Sequence, residues 1–260
     1  MKLIVQADDY GISEGVIYGV MKGVTDGVLT CVGMFANMPC SPLAAELIKD
    51  KDICLGIDIN ICTGPCVSNP AEIPTIAKSD GIMYTKKEHC ELDEQDADKD
   101  HMDYGECVKE VSAQIERFKQ LVGRYPAYIN GHSYHNKTID KAVKDVSVTY
   151  GIPMAKELEA AAHMVSPAKM WYKRPFPFEE QINAYAMDSI REDRALVEAE
   201  HGILIFHCGY IDPALMEVST FSLIRVNDLK AVISQEMKDW IRDNNIELIT
   251  YEDVKQSNVQ

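Results

Sequence analysis

The sequence predicts an α/β fold in which helices cover a parallel sheet. Three observations predict it. Short runs rich in β-branched residues alternate with helical patterns along the chain. The strand-like runs are apolar almost throughout, as strands buried on both faces are. The first and last segments both read as strands, which suits a sheet closed into a barrel; an open doubly wound sheet is the alternative. The 260 residues fit one domain spanning 1–260.

The elements follow in order. Leu3–Ala7 reads as a buried strand. Ser13 caps a helix to about Asp26, and Gly27 stands where a C-terminal glycine belongs. Thr30–Phe35 is the second strand. Ser41-Pro42 opens a helix to about Lys51, since proline is tolerated in a first turn. Ile53–Ile61 is the third strand. Val108, Val111, Ile115, Phe118 and Val122 share one face of a helix over Gly105–Val122. Ala127–Asn130 is the fourth strand. Thr138–Tyr150 is a helix that Gly151-Ile152-Pro153 stops. Ile203–His207 is a strand, Asn227–Asn244 a helix capped by its asparagine, and Ile246–Thr250 the last strand. Gly64 to Asp103 breaks the rhythm with Pro65, Pro70, Pro74 and an acidic run from Glu88. It reads as an insertion or lid over one end of the barrel, its acidic run a solvated surface.

Composition excludes some functions. A net charge of −15 argues against a nucleic-acid binder and against docking on an anionic membrane. No apolar run approaches the roughly 20 residues of a membrane span. The opening residues carry no export signal, so the cytoplasm is the expected compartment. The 8 cysteines form no Cys-x-x-Cys pair and read mainly as small buried hydrophobes.

Residues with chemical potential recur at strand ends, where parallel α/β folds build their sites. Asp8-Asp9 ends the first strand. Strand alternation points the two side chains in different directions, so one can bind metal while the other stays free as a base. Asp58 and Asn60 share one face of the third strand. His132 and His135 follow the fourth, and imidazole is the commonest side-chain metal ligand. His207 closes Ile203–Phe206, with an ordinary pKa suited to proton transfer. Convergence of these groups on one rim makes a metal site with an acid–base pair, which points to hydrolysis by a metal-activated water. There is no Gly-x-Gly-x-x-Gly, no Walker loop and no Gly-x-Ser-x-Gly elbow.

These motifs resemble the YdjC/ChbG family of carbohydrate deacetylases. The opening Leu3-Ile4-Val5-Gln6-Ala7-Asp8-Asp9-Tyr10-Gly11-Ile12-Ser13 is the most specific match. Gly27–Thr30 with Met34, Asn37, Met38 and Pro39 continues it. Gly56–Asn60 with Gly64-Pro65, Asn130-Gly131-His132, His207-Cys208-Gly209, and a tail with Arg225, Asp228-Leu229 and Ile249-Thr250-Tyr251 complete it. The resemblance implies a distorted (β/α) barrel of TIM-like type. It also implies a divalent metal and removal of an N-acetyl group from an amino sugar or chito-oligosaccharide, phosphorylated or not. Carried over by motif, Asp9, Asp58 and His132 would bind metal, Asp8 would be the general base and His207 the acid. Asp58 stands where the family has histidine, Tyr134 replaces a second family histidine, and Cys208 replaces a proline. Two carboxylates and one imidazole make a hard donor set, so Mg²⁺ is expected ahead of Mn²⁺ or Zn²⁺.

Asn60, His135, Trp171 and Arg174 are the expected substrate contacts. The aromatic segment Trp171–Phe178 suits sugar rings, and Lys173 or Arg174 suits a phosphate. The expected partners are a small carbohydrate substrate and a second copy of the chain. Two other readings fit the same residues. One is metal-dependent hydrolysis of another bond in a phosphorylated disaccharide. The other is a non-catalytic sugar-binding relative whose metal site Asp58 has altered.

Overall fold

The computed structural model describes residues 1–95, 100–172 and 177–257. The chain runs β1 (Lys2–Tyr10), α1 (Glu14–Asp26), β2 (Cys31–Met34), α2 (Ser41–Ile48) and β3 (Cys54–Ile59). The insertion holds a 3-10 turn at Pro70–Glu72 and α3 (Lys86–Asp93). Next come α4 (Tyr104–Val122), β4 (Ile129–Gly131), α5 (Lys137–Tyr150) and α6 (Ala155–Ala161). The short α7 (Phe178–Asn183), α8 (Ala186–Ile190) and α9 (Arg194–Glu198) lead into β5 (His201–Phe206). Last are α10 (Pro213–Val218), α11 (Leu223–Val232), α12 (Gln235–Asp243), β6 (Glu247–Leu248) and α13 (Tyr251–Ser257).

All strand pairs are parallel, in the order β4-β3-β2-β1-β5. Strand β6 pairs with the start of β1, at Lys2 and Leu3, while β2 pairs further along it, from Gln6. The expected α/β fold is therefore present, with two differences from a regular TIM-like barrel. Six strands pair among the described residues, where that barrel has eight. Between β4 and β5, among the described residues, only single bridges continue the sheet, Ile129 to Met154 and Val165 to Gly202. Helix α6 covers this sector with Ala155 and Leu158, so the barrel is distorted there.

Strand alternation sorts the core into two layers. Leu3, Val5, Val32, Leu55, Ile57 and Leu204 face outward, against Val16, Ile17, Ala44, Ile115 and Phe118 of the helices. Ile4, Cys31, Cys54, Tyr128 and Ile203 face inward, with Tyr251 and Val254 of α13. Each fully buried Val, Leu, Ile or Phe among them contributes about 1.5–3 kcal/mol. The inner layer is narrow: a Cβ at Gly56 would stand 2.4 Å from the Tyr128 ring. All eight cysteines are free thiols, and Cys31, Cys54, Cys62, Cys107 and Cys208 are buried.

Caps fix the helix ends as the sequence predicts at Ser13, whose hydroxyl accepts the Val16 N–H at 3.3 Å. The helix expected over Asn227–Asn244 is instead two. Ser234 accepts the Met237 N–H at 3.0 Å and starts α12, while Asn227 lies within α11 and donates to Gln181 and Ile182 carbonyls. No described helix is long and apolar enough to cross a membrane.

Candidate active site

The polar residues of the inner face gather at the C-terminal rim. Asp8 continues the row of Ile4 and Gln6, Asp58 the row of Cys54 and Gly56, and Asn130 that of Tyr128. Asp58 and Asn130 are also register partners. A bulge sits at this point of β1: Ala7 pairs with Val32 and Tyr10 with Met34, so β1 carries one extra residue. Asp9 occupies the bulge with φ 65°, in the left-handed region. The expected alternation of Asp8 and Asp9 is thereby cancelled, and both acids join one electrostatic cluster.

Asp9 is buried and its two oxygens face an imidazole and a guanidinium. Oδ1 lies 2.8 Å from His132 Nδ1, and Oδ2 accepts from Arg225 Nη2 at 2.6 Å. Burial alone would raise the Asp9 pKa, but His132 and Arg225 outweigh it and hold the carboxyl well below its usual range. Asp58 Oδ2 accepts the Asp9 backbone N–H at 2.9 Å. Asn130 Nδ2 donates to Asp58 Oδ1 at 3.2 Å and to Asp8 Oδ2 at 3.3 Å. Gln6 Nε2 donates to Asp8 Oδ1 at 2.5 Å. Burial, with the Asp9 charge added, pushes Asp8 up to about 7 against the Gln6 hydrogen bond. Burial and the charges of Asp8 and Asp9 push Asp58 well above the usual carboxyl range.

A cleft of about 670 Å³ opens on this rim, with Asp9, His132, His207 and Arg225 in its wall. That size suits a small organic ligand. The insertion forms another part of the wall through Met83, Thr85 and Lys86. Thr85 starts α3 with a reciprocal capping box with Glu88, and Lys86 Nζ donates to the Ser133 carbonyl at 2.7 Å. Tyr172 and Phe221, edge to face with centroids 5.1 Å apart, supply an aromatic surface. The His207 ring meets Phe221 edge-on at 4.9 Å, and its backbone N–H donates to Asp228 Oδ2 at 2.8 Å.

The other expected site residues stand elsewhere. Trp171 is buried beneath the cleft, packed on Phe206, with its indole N–H donating to Asp228 Oδ1 at 2.8 Å. It supports His207 through Asp228 and does not face the cleft. Asn60 is wholly buried, donating to Asn37 and the Thr63 carbonyl and accepting the Cys62 N–H. His135 lies outside the cleft wall, 3.1 Å from Asp140. Arg174 lies outside the described residues. Asp58 is not in the cleft wall, and among the described residues no three His, Cys, Asp or Glu side chains form a metal-holding group.

Two donors nevertheless fit a cation. Asp9 Oδ1 is buried and makes no well-directed hydrogen bond, although His132 Nδ1 is 2.8 Å away. Three carboxyls sit close together in this small volume, two of them with raised pKa values, which a positive ion relieves. Arg225 and Asp228 emerge as site residues to which sequence reasoning assigned no role. The available signal was the spacing of Arg225 and Asp228, three apart in a helical run, which places them on one face.

Comparison with known proteins adds the following. The family described as YdjC-like protein matches residues 2–243. Carbohydrate deacetylase 2 of Listeria innocua is 28% identical over 265 residues, covering 98% of this chain and 99% of that one. The carbohydrate deacetylase of Geobacillus stearothermophilus is 25% identical, covering 95% and 96%. Among solved structures, a protein of Enterococcus faecalis V583 assigned to cellobiose-phosphate cleavage superposes with a TM-score of 0.75. It shares 21% identity and covers 97% of this chain and 98% of its own, a likeness of fold.

Proposed function

The chain belongs to the YdjC-like family, and from that premise we propose that it is a hydrolase that removes an N-acetyl group from an amino sugar or chito-oligosaccharide. The names of its relatives support the reaction class. The observation that carries the reading is the pairing of Asp9 Oδ1 with His132 Nδ1 at 2.8 Å in the wall of a cleft of about 670 Å³. Asp9 and His132 would hold a divalent cation, for which we propose Mg²⁺, Mn²⁺ or Zn²⁺. Such an ion, when bound, polarises an amide carbonyl and acidifies water.

The protein's own groups supply the rest. Arg225 keeps Asp9 ionised by a direct hydrogen bond at 2.6 Å. Asp8 is not itself in the cleft wall, and its two oxygens accept from Gln6 and Asn130. With burial pushing its pKa up to about 7, it is the proposed acceptor of a proton passed on from the attacking water. His207 donates a proton to the departing sugar nitrogen. Asp228 holds the His207 backbone, and Phe221 limits the tilt of the ring. The Tyr172 and Phe221 faces give a sugar ring an apolar surface on which to rest. Acetate and a free amino sugar leave the cleft.

The test is acetate release from N,N′-diacetylchitobiose and its 6-phosphate by metal-stripped protein resupplied with magnesium, manganese or zinc. Metal-dependent release supports the proposal. Absence of release with every metal overturns it.

A further inference from the structure

We propose that Asp58 is a positioning residue whose carboxyl group fixes the backbone of Asp9, and that it does not bind the cation. The inference rests on the reading that Asp9 and His132 hold a divalent ion, and it departs from the ligand role that the family resemblance implies for position 58.

The geometry carries it. Asp58 Oδ2 accepts the Asp9 N–H at 2.9 Å, and Oδ1 accepts the Asn130 amide at 3.2 Å. Both oxygens are thus turned to N–H donors of the protein. The carboxyl group lies against the backbone of β2: a Cβ at Gly33 would stand 2.0 Å from Oδ1 and 2.6 Å from Oδ2. Asp58 is buried and absent from the cleft wall, while Asp9 and His132 are both in it.

Asp9 needs such support. Its φ of 65° lies in a region that few residues with a side chain occupy. The N–H of a bulge residue also loses its regular ladder partner. An acceptor held under that N–H satisfies the donor and selects the left-handed turn. The turn in turn carries the Asp9 side chain to His132 and Arg225. Asn130 extends the unit, because the same amide reaches Asp8 at 3.3 Å. A glycine at position 33 is what leaves room for the Asp58 carboxyl group.

Manganese titration by calorimetry and by electron paramagnetic resonance tests the first half. Asp58→Asn keeps an oxygen for the Asp9 N–H, so its Mn²⁺ affinity stays within about fivefold of wild type, whereas Asp9→Asn and His132→Gln lose about 100-fold or more. A loss in Asp58→Asn as large as in Asp9→Asn overturns the proposal. Amide hydrogen exchange of Asp9 in metal-free protein, followed by NMR, tests the second half. Asp58→Ala speeds that exchange by about tenfold or more and leaves amides of the helices unchanged. Gly33→Ala, which displaces the carboxyl group without removing it, does the same and serves if Asp58→Ala does not fold. Unaltered Asp9 exchange in these variants overturns the proposal. If wild-type protein binds no Mn²⁺, the functional reading fails, and the Asp9 exchange alone decides the role of Asp58.

Discussion

Arg225 and Asp9 lie 216 residues apart in sequence and form a buried ion pair, Nη2 to Oδ2, at 2.6 Å. Arg225 also donates from Nε to the Phe221 carbonyl at 2.7 Å, so its guanidinium is fixed from two sides. Helix α11 thereby helps to hold the acid near the end of β1 in its charged form.

Removing that cation leaves the Asp9 carboxylate buried beside the His132 ring without its guanidinium partner. Arg225→Met is expected to lower the unfolding free energy by about 3–5 kcal/mol, the usual cost of orphaning a buried charge. Urea denaturation measures it. A loss below about 1 kcal/mol would mean that water replaces the guanidinium without strain.

Asp8→Asn keeps an oxygen for the Gln6 amide but cannot take up a proton. Turnover is expected to fall by about 10²–10⁴-fold with the fold intact. Acetate release beside far-ultraviolet circular dichroism checks both halves. Near-normal turnover would remove Asp8 from the role of base.

Trp171→Phe keeps most of the packing on Phe206 and deletes the hydrogen bond to Asp228. A stability loss of about 1–3 kcal/mol is expected, because the buried carboxyl group loses a donor. Since the indole does not face the cleft, kcat falls and KM holds. Phe221→Ala, by contrast, raises KM. A rise in KM alone for Trp171→Phe would put the indole on the substrate.

His89 supplies a pH dependence. It is buried in the insertion, with Nε2 donating to the Ile61 carbonyl at 2.9 Å and Nδ1 3.0 Å from His101. Burial pushes its pKa down to about 4 from the ordinary 6.5. Between those values the unfolded chain binds a proton that the folded chain refuses. The His89 contribution is therefore complete above pH 6.5, declines as pH falls, and is gone near pH 4. The loss amounts to about 3 kcal/mol. Melting curves across this window, with His89→Gln as a flatter control, measure it; parallel curves would refute it.

Much of this molecule is legible in its sequence. The six described strands lie within or beside the runs that hydrophobic pattern picks out; for all but the short, exposed β6 the reason is that buried parallel strands must be apolar. The cap at Ser13 is legible because capping is local. Rim acids and histidines are legible as polar groups ending apolar runs. Three things are not. The bulge at Asp9 depends on strand register, which no local pattern encodes. The division of the 227–244 helix depends on Ser234, whose capping competes with a helical pattern continuous on both sides. The burial of Trp171 and Asn60 depends on partners far along the chain, Asp228 and Asn37, so residue type alone assigns them wrongly to the substrate.

The strand β1 pairs with β2 and β6 along one edge and with β5 along the other. Its partners begin at residues 31, 201 and 247. During synthesis β1 thus leaves the ribosome long before β5 and β6, and its edges close late. About 200 residues must emerge before Ile4 meets Ile203, and pairings of such long range are slow to form. Until then the strand that carries Asp8 and Asp9 is an open apolar edge, a template for wrong pairing with another nascent chain. The two acids that β1 brings to the candidate site and the hazard of misassembly lie on the same nine residues.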